Sequence, residues 1–112
     1  MSVSRKPSGV VVVFVTCPTS TRAVGLAEAL VKQRLAACVN ILPGLRSVFR
    51  WNGKIDRAKE LFLLIKTTQP RLPALERAIR KLHPYDVPEL LALRVVKGFA
   101  PYLEWVAESV RQ

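Results

Sequence analysis

The sequence predicts an α+β sandwich in which helices cover one face of an antiparallel sheet. Three observations lead to this fold class: an uninterrupted β-branched run at 10–15, two segments with apolar residues at helical spacing, and a strong hairpin signal at Asn52-Gly53. The chain has 112 residues, of which 50% are hydrophobic, and this suffices for one domain with a single core. We therefore expect one folded domain at 10–112, preceded by a flexible tail at 1–9.

The first half begins with a strand and a helix. The run VVVVFV at 10–15 does not alternate with polar residues, which is typical of a strand that is covered on both faces or central in its sheet. Thr19 and its neighbours supply helix-capping side chains, and the apolar residues after them recur at helical spacing: Ala23, Leu26, Ala27, Leu30 and Val31. A helix of about four turns is expected here.

A long hairpin follows this helix. The apolar segment 35–42 continues past Pro43-Gly44 with alternating residues, which predicts one bent strand with a kink or bulge at Pro43-Gly44. Asn52-Gly53 then turns the chain into a return strand that is polar near the turn and apolar towards its end. A hairpin of this length exposes strand edges that must be paired, charged or hidden, so we expect it to contact another subunit.

The second half adds a helix, a strand and a closing helix. Gln69-Pro70 starts a helix whose predicted buried stripe is Leu72, Leu75, Ala78, Ile79 and Leu82. A strand is predicted at 90–96, and Ala100-Pro101 opens a helix that carries Tyr102, Leu103, Trp105, Val106 and Val110. The order βαββαβ, with right-handed crossovers, is that of a ferredoxin-like sandwich. The extra C-terminal helix and the long hairpin between the second and third strands are additions to it.

The composition argues against several classes of partner. No run approaches the ~20 apolar residues of a membrane span, so we expect no membrane contact and a cytoplasmic protein. Cys17 and Cys38 are expected to stay reduced in that compartment. The formal charge is +10, but the basic residues are spread along every element. We interpret them as a solvated surface and expect no specific nucleic-acid partner.

The segment HPYDVPE at 83–89 is the strongest candidate for a site. It holds the only histidine, His83, together with Tyr85, Asp86 and Glu89, and its two prolines stiffen the backbone. The alternative interpretation is structural, with a rigid turn whose histidine caps a helix end. The residues alone leave both interpretations open.

Five motifs in unbroken order resemble the CutA family of divalent-cation tolerance proteins. They are RLAACVN at 34–40, S-x-aromatic-x-W-x-G-K-I at 47–55, Lys66-Thr67, HPYxxPE at 83–89 and YLxW at 102–105. The resemblance implies a ferredoxin-like, non-catalytic homotrimer with a role in copper tolerance. The chain departs from the family at Phe49, where Tyr is common. It also has Leu82-His83 and Val15 where some bacterial relatives carry a His-His pair and a cysteine linked with copper.

Copper is the metal that the resemblance implies. Its candidate ligands are His83, Cys38 and Cys17, a soft set suited to Cu(I), although Cys38 is alternatively a small buried core residue.

A different class of function is a small-anion sensor or adaptor. Here Lys66, with Arg46 and Arg50, would hold a phosphate or carboxylate in a groove between subunits. The candidate groove residues are Trp51, Glu60, Lys66, Tyr85 and Glu89. Catalysis is not expected, because the sequence shows neither a nucleophile with an attached base nor a phosphate-binding glycine pattern.

Overall fold

The computed structural model describes residues 9–112. Its elements are β1 (Val10–Cys17), α1 (Ser20–Lys32), β2 (Cys38–Trp51), β3 (Lys54–Thr68), a 3₁₀ turn at Gln69–Arg71, α2 (Leu72–Leu82), β4 (Leu91–Arg94) and α3 (Ala100–Ser109). The four strands form one antiparallel sheet in the order β2-β3-β1-β4. This confirms the predicted ferredoxin-like fold with its extra C-terminal helix and long hairpin. Apart from Gly9, the tail predicted at 1–9 lies outside the described residues.

The core lies between the sheet and the first two helices. Alternate residues of β1 and β3 are fully buried there, and α1 and α2 cover them with Leu26, Leu30, Leu75 and Ile79. The opposite sheet face carries the tilted ring pair Phe14–Phe62, whose centroids lie 5.0 Å apart. One face is therefore densely packed and the other only partly buried. Of the two alternatives that the sequence left open for β1, the structure has the central strand, paired with β3 on one side and β4 on the other.

Turn chemistry shapes the long hairpin as predicted. Leu42 pairs with Phe62 but Leu45 pairs with Glu60, so two residues of β2 oppose one of β3 in a β-bulge. Gly44 occupies this bulge with a φ of +84°. At the tip, Asn52 and Gly53 have φ angles of +50° and +75°, the left-handed pair that a tight two-residue hairpin turn requires.

The molecule is elongated, with principal dimensions of 54 × 27 × 23 Å. Large apolar side chains stay exposed on the outer part of the hairpin, including Val48, Trp51 and Ile55. Within residues 9–112, no helix has the length and apolar character that crossing a bilayer requires.

Two predicted features differ from the structure. The fourth strand covers only Leu91–Arg94, not 90–96, because it is an edge strand whose sole partner is β1. Leu82 is 39% exposed rather than buried, because it is the last residue of α2 and projects beyond the core. On α3, Val106 is the buried residue and Tyr102 and Trp105 are exposed, while the buried Val110 follows directly after the helix.

Candidate functional site

The connector 83–89 lies beside the outer half of the hairpin and forms one wall of an open pocket. The pocket has a volume of about 890 Å³. It is lined by Thr16, Ser47, Val48, Phe49, Trp51, Asp56, Glu60, Pro84, Tyr85, Asp86, Val87 and Glu89. Three separate parts of the chain therefore meet here: the end of β1, both strands of the hairpin, and the connector.

His83 fixes the connector to β1. Its Nε2 lies 2.6 Å from the carbonyl oxygen of Thr16 and must donate to it, while its Nδ1 accepts from the backbone N–H of Tyr85 at 3.1 Å. These two bonds require the tautomer with its proton on Nε2. The side chain is buried, and both ring nitrogens are engaged by backbone groups. The structural interpretation of His83 thus has direct geometric backing.

Tyr85 fixes the other side of the pocket through Glu60. Its hydroxyl donates to Glu60 Oε2 at 2.9 Å. Burial, reinforced by this hydrogen bond and by the Glu60 charge, raises the pKa of Tyr85 to about 12. Burial and the Glu60 charge likewise raise the pKa of Glu89 above its ordinary value. The pocket therefore places acidic groups where they repel one another.

The pocket lining is acidic although the chain as a whole is basic. It includes the four carboxylates of Asp56, Glu60, Asp86 and Glu89, and among the described residues it includes no lysine, arginine or histidine. Asp56 uses one oxygen to accept the N–H of Arg57 at 2.8 Å. In a chain with a net charge of +10, this is a local concentration of negative charge.

Four of the five predicted groove residues meet in this pocket. Trp51, Glu60, Tyr85 and Glu89 all line it, but Lys66 does not. Lys66 lies six residues beyond Glu60 on β3, about 20 Å along the strand, and hydrogen-bonds Asn40 Oδ1 instead.

The other cations predicted for an anion site do not line the pocket, although the cavity that Arg46 lines shares Ser47 and Val48 with it. Arg46 lines a smaller cavity of about 320 Å³ with Arg57 and Lys59, and Arg50 lines neither cavity.

Sequence reasoning missed Thr16 and Asp56. Asp56 could have been found from the hairpin register. A tight turn at Asn52-Gly53 places Asp56 opposite Phe49, so the two side chains lie on the same face of the hairpin.

The predicted metal ligands divide into a pair and a separate residue. Cys17 Sγ lies 3.7 Å from His83 Nε2. Cys38 is distant from this pair. It lies opposite Lys66 of β3, and Lys66 lies opposite Val12 of β1, which is five residues or about 17 Å along the strand from Cys17. Cys38 is partly exposed, and Cys17 is the fully buried thiol. Within the part of the chain that the structure describes, no three His, Cys, Asp or Glu side chains are grouped as metal ligands.

The buried thiol is poorly suited to metal binding. Burial, with a smaller contribution from the Glu60 charge, raises the pKa of Cys17 to about 11. At neutral pH the side chain is therefore the protonated thiol, which is not the ligand form. In this conformation Cys17 and His83 are at best a weak copper site, because the thiol is protonated and both imidazole nitrogens are hydrogen-bonded.

Comparison with known proteins gives a consistent match over most of the chain. The chain is 48% identical to the divalent-cation tolerance protein CutA of Thermus thermophilus over 98 residues, covering 88% of this chain and 95% of that protein. It is 46% identical to protein CutA of Mus musculus over 100 residues, covering 89% of this chain. The chain spans only 56% of the mouse protein's length.

Solved structures agree with these sequence matches. The crystal structure of CutA from Xylella fastidiosa superposes with a TM-score of 0.90 at 41% identity, covering 92% of this chain and 99% of that one. Some relatives carry a location in their names, chloroplastic in Arabidopsis thaliana and periplasmic in Archaeoglobus fulgidus. The family model described as CutA1 divalent ion tolerance protein matches residues 11–109. The chain belongs to this CutA1 family.

Proposed function

We propose that this protein is a non-catalytic homotrimer that serves divalent-cation tolerance by binding a ligand in the pocket between hairpin and connector. The observation that carries this proposal is the pocket itself, a cavity of about 890 Å³ whose walls are fixed by the His83 and Tyr85 hydrogen bonds. A preformed cavity with a few placed polar groups is the usual form of a small-molecule site.

Assembly is proposed because one subunit leaves both sheet edges unpaired. β2 lies at one edge and β4 at the other. Apolar side chains remain exposed at both, including Leu91 and Leu93 on β4 and Trp51 on β2. Long strand edges with exposed apolar residues favour pairing with another chain. The family resemblance, rather than the edges, gives the number three.

Light scattering coupled to gel filtration tests the assembly. We expect a single species of three chains at micromolar concentration, because a monomer would leave these edges in water. A protein that stays monomeric under these conditions would contradict the proposal. The mass of the eluted species gives the number of chains directly, so a dimeric mass would also contradict the proposed trimer.

A binding role is favoured over catalysis by the state of the one thiol-imidazole pair. Cys17 and His83 are close, but Nε2 already donates to the Thr16 carbonyl and cannot take a proton from the thiol. The raised pKa of Cys17 keeps the thiol unactivated. The pair is therefore a packed structural unit in this conformation.

Copper binding stays a prediction, and we propose that it is weak. A copper ion at Cys17 and His83 would require loss of the thiol proton and of at least one histidine hydrogen bond. Because the thiol pKa is about 11, copper affinity should rise with pH throughout the neutral range.

Copper titration by competition with a chelator, using three variants, checks this. We expect Cys17→Ser and His83→Ala to lower the affinity at least tenfold. Cys38→Ser is the matched control and should leave it unchanged, since Cys38 lies elsewhere on the sheet. If none of the three variants differs from the parent, the copper is adventitious.

The cytoplasmic location predicted from the sequence also stays a prediction. We propose it because Cys17 and Cys38 are both free thiols in the structure, which suits a reducing compartment. Two relatives have names that give another location, chloroplastic and periplasmic, and these locations apply to those proteins.

A further inference from the structure

We propose that the ligand of this pocket is an organic cation, a small molecule with ammonium or guanidinium groups on an apolar body. This inference rests on the proposed function in one respect, that the pocket is the ligand site. It adds the chemical class of the ligand, which is opposite in charge to the small anion that the sequence suggested.

The charge of the lining is the first argument. Four carboxylates surround the cavity, and none of the described residues that line it carries a positive charge. An anion placed here would be repelled by these carboxylates, whereas a cation would be attracted to them. The arginines proposed for an anion lie outside this pocket.

The surroundings of Glu60 are the second argument. It is only 8% exposed, yet within residues 9–112 it has no lysine, arginine or histidine partner. Its single hydrogen bond is the one from Tyr85 to Oε2. Oε1 accepts none from the described residues and has solvent-accessible surface, because the buried side-chain atom without a partner among them is Thr67 Oγ1. A buried carboxylate normally has a paired charge or several donors. A ligand that brings N–H donors would supply what the chain leaves out.

The aromatic wall is the third argument. Phe49 and Trp51 share the pocket face of the hairpin with Asp56, and Phe49 lies directly opposite Asp56. Aromatic faces attract cations through the ring quadrupole and also cover apolar ligand atoms. Carboxylates and rings on one wall match a cation with a carbon chain.

The spacing of the carboxylates distinguishes this ligand from a bare metal ion. Carboxylates that share one ion must converge on a point, and among the described residues no group of three does so. Carboxylates spread around a cavity of about 890 Å³ suit a ligand of many atoms with separated donors.

Three probes with the same five-carbon chain test the charge preference by isothermal calorimetry at low ionic strength. They are 1,5-diaminopentane, 1,5-pentanediol and glutarate, which differ in charge and share a length. We expect the diamine to bind at least tenfold more tightly than either of the others. Binding should weaken as salt is added, because the attraction is electrostatic.

Glu60→Gln is the decisive variant, and Glu28→Gln is its matched control. Glutamine keeps the size of the side chain and an oxygen for the Tyr85 hydroxyl, but removes the charge. We expect Glu60→Gln to lower diamine affinity at least tenfold. Glu28 is exposed on α1 away from the pocket, so its variant changes the net charge equally and should leave the affinity unchanged.

Two outcomes would overturn the inference. One is glutarate binding as tightly as the diamine, and the other is Glu28→Gln and Glu60→Gln weakening the diamine equally. Measuring the mass of the same samples keeps the two proposals apart. A trimer that ignores the diamine contradicts the ligand class alone, and a monomer that binds it through Glu60 contradicts the assembly alone.

Discussion

Leu63→Ala is expected to lower the free energy of unfolding by about 3 kcal/mol. Leu63 is fully buried in the middle of β3, where it pairs with Val15 on one side and Ile41 on the other. Removing three carbon atoms there leaves a cavity that the strands cannot close. Denaturant unfolding at one fixed protein concentration measures the effect, since subunit association also contributes to stability.

Leu82→Ala is the control for this substitution. It removes the same atoms from the exposed end of α2, so the loss should be about 1 kcal/mol or less. Equal losses at the two positions would show that Leu63 does not occupy the core as described.

Trp51→Ala is expected to loosen the assembly before it unfolds the subunit. Trp51 lies at the outer end of β2, opposite Lys54, and half of its surface is exposed in one subunit. Buried tryptophans at interfaces often contribute 2 kcal/mol or more, or roughly a thirtyfold change in the dissociation constant. Light scattering over a dilution series gives that constant.

Trp105→Ala provides the comparison for the hairpin variant. It removes an equally large, half-exposed ring from α3, outside the hairpin. The proposal requires the hairpin substitution to have the larger effect. A Trp51→Ala protein that stays trimeric at the highest dilution would assign Trp51 to the pocket alone.

Features governed by local chemistry were predictable from the sequence. Asn52-Gly53 specifies a tight turn because both positions need positive φ, and the structure has them. Pro43-Gly44 predicted the bulge, because glycine readily adopts the positive φ that Gly44 has there. Thr19 caps α1 by accepting the N–H of Arg22, as its position before the apolar pattern indicated.

Features that depend on long-range packing were not predictable. The Cys17–His83 approach joins residues 66 positions apart, and no local pattern encodes it. The acidic character of the pocket was missed because its carboxylates come from the hairpin and the connector, which look unrelated along the chain. Lys66 was placed in the groove by its motif, whereas strand geometry carries it about 20 Å away.

The bulge at Pro43-Gly44 affects the direction in which the hairpin projects, but not the cross-strand pairs of its residues. Deleting Gly44 would leave one residue of β2 opposite Leu61, so both neighbouring pairs, Leu42 with Phe62 and Leu45 with Glu60, would be preserved. Every aromatic ring and carboxylate beyond the bulge would keep its cross-strand partner. What would change is the local bend and twist that a bulge imposes. The one extra residue of the bulge therefore sets the direction of the outer hairpin relative to the connector, without changing which side chains pair across the hairpin.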